Sequence, residues 1–109
     1  MKRYCRTLTL RDDPQLIAQY VEYHAHVWPE IVAGIKEVGI LDMQIYIHEN
    51  TLFMIVDTVD DFDWEKDNAR LATLPRQAEW EAYMSKFQNA DTRASAAEKW
   101  QLMTRIFKL

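Results

Sequence analysis

Residues 41–48 read LDMQIYIH and residues 51–59 read TLFMIVDTV, and these two stretches give the strongest indication of the fold. Both are rich in β-branched and aromatic residues, which favour extended strands. Glu49 and Asn50 separate them, and we expect Asn50 to take the positive φ of a tight turn because asparagine tolerates that conformation. The sequence therefore predicts a β-hairpin.

The second strand of this hairpin is apolar on both of its faces. Leu52, Met54 and Val56 alternate with Phe53 and Ile55. Helices can cover one face of such a sheet, so we expect the other face to pack against a second subunit. The hairpin thus predicts a homodimer that associates through an open sheet face.

The two ends of the chain supply further strands. Residues 3–10, RYCRTLTL, alternate between two faces in the manner of a half-buried strand. Residues 98–109, EKWQLMTRIFKL, alternate in the same way and predict the last strand. The sheet is therefore expected to have four strands.

Prolines mark the helical region between the first strand and the hairpin. Pro14 suits the first position of a helix, which we expect to run to about His26. Pro29 disfavours helical geometry at Trp28, so the helix should break there, resume, and end at a left-handed cap on Gly39.

Two more helices are predicted after the hairpin. The acidic residues 60–63 suit the positive end of a helix that reaches about Thr73, and Pro75 separates it from the next helix. The apolar residues of that next helix recur at amphipathic spacing: Trp80, Tyr83, Met84 and Phe87. Residues 88–97 are small and polar, which predicts a mobile loop.

The resulting order of elements is βαββαβ. This is the order of α+β, ferredoxin-like folds, in which an antiparallel four-stranded sheet carries its helices on one face. A chain of 109 residues is expected to form one domain, residues 1–109. Because many unrelated functions share this fold, the fold alone does not indicate the chemistry.

Composition and charge argue against several classes of function. The net charge is −4 with basic residues scattered among acidic ones, which argues against nucleic-acid binding. No apolar stretch approaches the roughly 18 residues of a membrane-spanning helix. Cys5 is the single cysteine, so an intrachain disulfide is excluded and a buried, inert thiol is expected. These features predict a cytoplasmic protein without a nucleic-acid or membrane partner.

The segment YVEYHAHVWPE, residues 20–30, contains the strongest candidate for catalysis. Tyr20 and His24 are four residues apart and share one helical face. An imidazole suits proton transfer at neutral pH, although a lone histidine on an apolar helical face is more often structural. His26 lies on a different face, and no group of residues has metal-ligand spacing, so we expect neither metal nor cofactor.

Trp80 and Glu79 are candidates for binding a ligand. Trp80 is most simply a core residue, but an indole also offers a pyranose an apolar stacking surface and an N–H donor. Glu79 could accept hydrogen bonds from sugar hydroxyls, whereas an exposed helical glutamate is the commoner case.

Taken together, these motifs resemble the L-rhamnose mutarotase family over nearly the whole chain. The most distinctive part runs from Tyr20 through His24 to Trp28-Pro29-Glu30, and the likeness continues through Gly39, Ile45-Tyr46, Leu52-Phe53 and Trp80-x-x-Tyr83-Met84. The resemblance implies a dimeric α/β-barrel that interconverts the α and β anomers of a 6-deoxy-L-sugar without a cofactor. It also implies that His24 donates a proton and that Tyr20 contacts the sugar.

Two departures from the family pattern concern the sugar. Rhamnose-type members carry a tyrosine where this chain has Met43, and a Trp-Trp pair where it has Glu79-Trp80. Such changes alter hydroxyl recognition more than proton transfer, so the resemblance implies either L-rhamnose or, as the leading substitute, L-fucose. Tyr20, Met43, Glu79 and Trp80 are then expected to line the sugar pocket.

Two other functions stay open at this point. A non-catalytic small-ligand or haem-binding dimer of the same fold would use His24 or His48 as an axial ligand, although a pocket edged by Tyr20 and Glu79 is more polar than haem sites usually are. A purely structural interaction module would bind no sugar at all.

Overall fold

The computed structural model describes residues 1–91 and 93–109 and confirms the predicted ferredoxin-like fold. The strands are β1 (Lys2–Thr9), β2 (Ile40–His48), β3 (Thr51–Thr58) and β4 (Gln101–Leu102). The helices are α1 (Pro14–Ala25), α2 (Pro29–Glu37), α3 (Trp64–Leu71), α4 (Gln77–Met84) and α5 (Ala96–Lys99). The strands lie side by side in the order β2-β3-β1-β4, and each paired neighbour is antiparallel.

The β2–β3 hairpin forms as predicted, but its turn differs in one detail. The positive φ falls on Glu49, at 56°, rather than on Asn50. Asn50 is held instead by the residue after β1, because its side-chain amide donates to the carbonyl oxygen of Leu10 at 3.1 Å and its own carbonyl accepts from the Leu10 N–H at 2.7 Å. These tertiary hydrogen bonds override the local preference of asparagine.

One face of the sheet forms the floor of the core. Leu52, Met54 and Val56 of β3 are buried beneath the helices, whereas Phe53 and Ile55, on the opposite face, are partly exposed. The alternation therefore divides the apolar strand between two environments. The core contains the following buried apolar residues: Leu8, Leu10, Tyr20, Ile31, Val38, Ile40, Leu52, Met54, Val56, Phe62, Trp80, Met84, Phe87 and Trp100.

The predicted break before Pro29 is confirmed. α1 ends at Ala25 and α2 begins at Pro29, with Trp28 in an extended conformation at the N-cap of α2 (φ −61°, ψ 137°). An extended conformation is what the residue before a proline favours. The start of α1 is capped by Asp13, whose side chain accepts hydrogen bonds from the N–H groups of the first helical turn.

The end of the chain differs from the prediction. β4 contains two residues, paired with Arg6 and Thr7 of β1, and residues 103–109 form neither helix nor strand. No element packs over these last residues in the described part of the chain, so Ile106 is 95% exposed and Phe107 74% exposed. The alternating pattern is typical of a strand, but within the described part of the chain only Gln101 and Leu102 of it pair as a strand.

The predicted loop over residues 88–97 also contains more structure than expected. α5 begins at Ala96, and a capping box between Ser95 and Glu98 fixes its start. Gln88 forms an isolated antiparallel bridge with Leu10. Thr92, within the same predicted loop, lies outside the described residues. None of the helices in the described ranges combines the length and apolar character needed to cross a bilayer.

Gly39 is a position where a side chain is poorly tolerated. Its φ is +101°, and a Cβ there would lie 2.8 Å from the Cγ2 of Val59. We predict that Gly39→Ala lowers the free energy of unfolding by about 1–3 kcal/mol because it combines backbone strain with a steric clash. Urea denaturation measures this loss, and Val59→Ala combined with Gly39→Ala should recover part of it relative to the two single variants. A Gly39→Ala protein as stable as the wild type would contradict the strain.

Candidate active site

A cavity of about 140 Å³ lies between the helices and the inner face of the sheet. Cavities of about 150 Å³ in proteins accommodate a six-membered ring such as benzene. Its apolar wall includes Val27, Ile31, Ile35, Ile40, Met43, Ile45, Met54, Val56, Trp64, Leu71, Trp80, Met84 and Trp100. Its polar lining residues are Tyr20, His24, Asn68, Gln77, Glu81 and Gln88.

The structure brings four of the five predicted site residues to this cavity. Tyr20 and His24 come from α1, Met43 from β2 and Trp80 from α4. Glu79 is the exception and does not line it. The site therefore draws on three separate elements of the chain.

His24 is fixed by the helix that carries it. Its Nδ1 lies 2.8 Å from the backbone carbonyl oxygen of Tyr20. A carbonyl oxygen can only accept, so the neutral imidazole carries its proton on Nδ1 and keeps a lone pair on Nε2. Burial lowers the pKa of His24 below its ordinary value, and the Tyr20 carbonyl opposes that shift. His24 is therefore neutral at pH 7 and available as a base.

Tyr20 lies directly beside this imidazole. The two rings are 4.3 Å apart between centroids, and Tyr20 is 3% exposed. Burial raises the pKa of Tyr20 well above its ordinary value, and interaction with the Gln88 side chain opposes this only in part. The phenol therefore stays protonated and is suited to hydrogen bonding rather than to carrying protons.

Trp80 and Trp28 form an aromatic wall next to His24. Trp80 is 7% exposed, and its ring meets His24 edge-on at 5.6 Å and Trp28 edge-on at 5.0 Å. Trp28 is absent from the cavity lining and supports Trp80 from behind. The Arg76 guanidinium covers the Trp28 ring at 4.1 Å, a cation–π contact. The break before Pro29 thus places Trp28 where it packs behind Trp80 and not where it lines the cavity.

The carboxyl group at the cavity comes from Glu81 and not from Glu79. Glu79 is exposed and forms an ion pair with Arg76, at 2.8 Å between Nη2 and Oε2. Glu81 is partly buried, lines the cavity, and has its pKa raised by burial against the opposing charge of Lys99. The carboxyl group that lines the cavity is therefore that of Glu81, and sugar binding by Glu79 stays a prediction.

The helical spacing of the sequence already indicated that Glu81, and not Glu79, reaches the cavity. Gln77, Trp80, Glu81 and Met84 are separated by one or three residues along one face of α4, and all four line the cavity. Glu79 is not on this face. The prediction for Glu79 relied on its position next to Trp80 in sequence, whereas the helical face determines which carboxyl group reaches the cavity.

A buried lysine connects Glu81 to the other polar lining residues. Lys99 is 5% exposed, its Nζ lies 3.8 Å from Oε2 of Glu81, and it donates to Oε1 of Gln88 at 3.1 Å. Gln88 in turn interacts with Tyr20. Glu81, Lys99 and Gln88 form a connected polar network, and Gln88 lines the same cavity as Tyr20 and His24. Sequence reasoning missed Lys99 and Gln88, because both lie in the stretch predicted to be loop or final strand.

The remaining histidine candidate lies elsewhere. His48 is exposed at the end of β2 and is absent from the cavity lining. In residues 1–91 and 93–109, no group of three or more histidine, cysteine, aspartate or glutamate side chains is arranged to hold a metal ion.

Comparison with known proteins identifies the family of the chain. The family model for L-rhamnose mutarotase matches residues 3–109. The chain belongs to the L-rhamnose mutarotase family. It is therefore an isomerase of the mutarotase type, and a haem-binding or non-catalytic dimer is not favoured.

The chain is similar to individual members of this family over most or all of its length. An L-fucose mutarotase of Xanthomonas campestris pv. campestris is 40% identical, over 100% of this chain and 89% of the relative. An L-rhamnose mutarotase of Sinorhizobium fredii is 32% identical, over 78% of each chain. The crystal structure of an L-rhamnose mutarotase from Formosa agariphila matches with a TM-score of 0.74 and 19% identity, covering 100% of this chain and 99% of that one. This last likeness shows the shared fold.

The lowered pKa of His24 predicts a pH dependence of stability. The unfolded chain binds a proton at His24 near pH 6.5, whereas the folded protein does so only at lower pH. The contribution that unprotonated His24 makes to the free energy of unfolding is therefore fully present above pH 6.5. It is lost as the pH falls towards the pKa of His24 in the folded protein. We expect the unfolding free energy of the wild type to fall relative to that of His24→Gln between pH 7 and 5, by at most about 1.4 kcal/mol per pH unit. A difference between the two proteins that does not change over this range would contradict the shift.

Proposed function

We propose that this protein interconverts the α and β anomers of a 6-deoxy-L-hexose, with L-fucose as the preferred sugar and L-rhamnose as the alternative. One observation supports this above the others. A neutral imidazole with its Nδ1 held by a backbone carbonyl and its Nε2 unprotonated lines a cavity of ring-sized volume. Such an imidazole is suited to proton transfer on a bound sugar.

The proposed reaction requires only proton transfer. A base takes the proton of the anomeric hydroxyl while the bond between C1 and the ring oxygen breaks. The electron pair of that bond passes to the ring oxygen, which takes a proton from an acid, and C1 becomes an aldehyde. After rotation about the C1–C2 bond, the ring closes on the other face and both protons return. Atoms, protons and electrons therefore balance without a cofactor.

His24 can serve in either direction of this cycle. In its neutral form, Nε2 accepts the anomeric proton, and the imidazolium that results is the donor for reclosure. This agrees with the proton-donor role that the family resemblance implies for His24. We assign His24 as the principal acid/base, and Tyr20 as a hydrogen-bonding contact to the sugar because its phenol stays protonated.

The walls of the cavity favour a 6-deoxy sugar. Such a sugar presents a methyl group as well as hydroxyls, and the cavity combines an apolar sheet wall that includes Met43 with the polar side chains Glu81 and Gln88. L-fucose is favoured over L-rhamnose by the Met43 departure and by the 40%-identical relative named as an L-fucose mutarotase. We include Trp80 as a stacking surface in this proposal, and Glu81 replaces Glu79.

We further propose that the protein acts as a homodimer in the cytoplasm. Phe53 and Ile55 lie on the sheet face that the helices leave open, and Tyr46 on the neighbouring strand is 56% exposed. Residues 103–109, which include the exposed Ile106 and Phe107, extend from the sheet without a covering element in the described chain. A second copy would bury these surfaces. The single cysteine fits a reducing compartment.

An anomer-exchange assay tests the proposed reaction. Saturation-transfer NMR on L-fucose and L-rhamnose, with D-glucose as a reference sugar, should show that the protein accelerates exchange of at least one 6-deoxy sugar, and L-fucose most. His24→Gln should reduce this acceleration by about 10²–10⁴-fold. His26→Gln, at the exposed C-cap of α1, should leave it unchanged. No acceleration of either 6-deoxy sugar would refute the proposed activity.

The proposed dimer predicts a selective response to charge on the open sheet face. We expect the wild type to sediment with twice the mass of a single chain. Ile55→Lys should shift it towards the monomer, because it places a charge where an apolar face would be buried. Val21→Lys is the matched control, since Val21 is an exposed apolar residue of α1. A monomeric wild type, or dissociation by Val21→Lys alone, would argue against this interface.

A further inference from the structure

We propose that Glu81 is the second proton carrier of the anomer exchange, and that Lys99 and Gln88 are its positioning residues. This inference rests on the proposed mutarotase function and deepens it. Ring opening needs an acid and a base at the same time, one at the anomeric hydroxyl and one at the ring oxygen. His24 supplies one of them, so the cavity must supply the other or leave the transfer to water.

Glu81 is the best candidate among the described residues that line the cavity. Three of them are titratable: Tyr20, His24 and Glu81. Tyr20 is excluded as a carrier because burial raises its pKa, so that its phenol gives up a proton with difficulty. The amides of the lining hold their protons under all conditions of interest. Besides His24, Glu81 is therefore the titratable group of this lining that can both take and release a proton.

The environment of Glu81 suits alternation between its two protonation states. Burial raises the pKa of Glu81 from its ordinary value, whereas the Lys99 ammonium opposes that shift. The carboxyl is therefore neither fixed as a salt-bridge anion nor fixed as a neutral acid. The ion pair is long, at 3.8 Å between Nζ and Oε2, which leaves the carboxylate without a close hydrogen bond from Lys99.

Lys99 is positioned by a contact independent of Glu81. Its Nζ donates to Oε1 of Gln88 at 3.1 Å, and both residues are almost completely buried. Burying a lysine costs free energy unless its charge is compensated. The Gln88 amide oxygen, and Glu81 when it is ionised, supply that compensation, and Lys99 in turn favours the ionised carboxylate beside the cavity.

His24 and Glu81 together complete the proton balance. When His24 is neutral and Glu81 protonated, His24 accepts the anomeric proton and Glu81 donates to the ring oxygen. When His24 is protonated and Glu81 ionised, the roles exchange. Each arrangement holds one exchangeable proton, presents one donor and one acceptor, and returns to its starting state after the ring closes.

The central test compares two neighbouring glutamates. Glu81→Gln keeps the shape of the side chain but removes the titrating group, and we expect kcat for L-fucose exchange to fall by about 10²-fold or more with little change in KM. Glu79→Gln is the matched control, because Glu79 lies on the same helix but outside the cavity, and should keep wild-type kcat. A Glu81→Gln protein with kcat within about tenfold of the wild type overturns the proposal. So does a change confined to KM.

A second variant guards against a folding defect. Glu81→Gln leaves Lys99 buried without its counter-charge, so Glu81→Gln combined with Lys99→Gln restores neutrality. Circular dichroism and the rise in melting temperature with L-fucose report folding and binding in both. If the folded double variant recovers exchange to within about tenfold of the wild type, Glu81 is a structural counter-ion and the proposal fails.

The role of Lys99 has its own readout. The titratable groups that face Glu81 are Lys99 and Glu98 of α5, Glu65 of α3, and His24 and Tyr20 of α1. Lys99→Met removes the only lysine or arginine of this set. We expect the pH profile of kcat to move to higher pH, because the ionised carboxylate loses its stabilising charge. Lys86→Met, at an exposed lysine of the same region, should not move it. An unshifted profile in Lys99→Met removes Lys99 from its positioning role.

Failure of this inference can be distinguished from failure of the proposed function. If the wild type accelerates no 6-deoxy sugar, the function itself is wrong and Glu81 has no reaction to assist. If the wild type and Glu79→Gln are active and Glu81→Gln is equally active, the function stands and the assignment of Glu81 is wrong.

Discussion

The inability of Pro29 to continue the helix that precedes it determines how the cavity is built. α1 stops at Ala25, and the chain turns through the extended Trp28 before α2 starts. One continuous helix would have kept Trp28 on the α1 surface. The break instead places its ring edge-on behind Trp80 and leaves His24, in the last turn of α1, in contact with the front of Trp80.

A second constraint joins the helices that form the cavity. Gln77, at the start of α4, is 4% exposed and donates from Nε2 to the carbonyl oxygens of Glu30 and Ile31 in α2, both at 3.2 Å. A Cβ at Gly34 would overlap that same Nε2, so glycine makes room for the contact. The helix carrying Trp80 and Glu81 is therefore tied by hydrogen bonds to the backbone of the helix that comes after Trp28.

Burial acts on the three titratable groups of the cavity in opposite directions, and this gives them different capacities. It lowers the pKa of His24 because the imidazolium is charged, and it raises the pKa of Glu81 and Tyr20 because their charged forms are anions. The ordinary pKa of histidine lies above that of glutamate, so these shifts bring the pKa values of His24 and Glu81 closer together. Burial moves the pKa of Tyr20 further above pH 7. One apolar environment thus prepares two groups for proton transfer and keeps the third as a hydrogen-bond donor.

The ferredoxin-like order of elements, the helix break, and the placing of Tyr20 and His24 on one face could all be predicted from the amino-acid sequence. They depend on local rules: strand alternation, proline geometry and helical spacing. Three other features depend on tertiary contacts. The positive φ belongs to Glu49 because Leu10 holds Asn50, the last strand has two residues because only Gln101 and Leu102 pair with β1 in the described chain, and Lys99 and Gln88 meet beside Glu81. In each case the outcome depends on whether residues far apart in sequence meet through hydrogen bonds or charges. Those contacts exist only once the chain is folded, so local preference does not determine them.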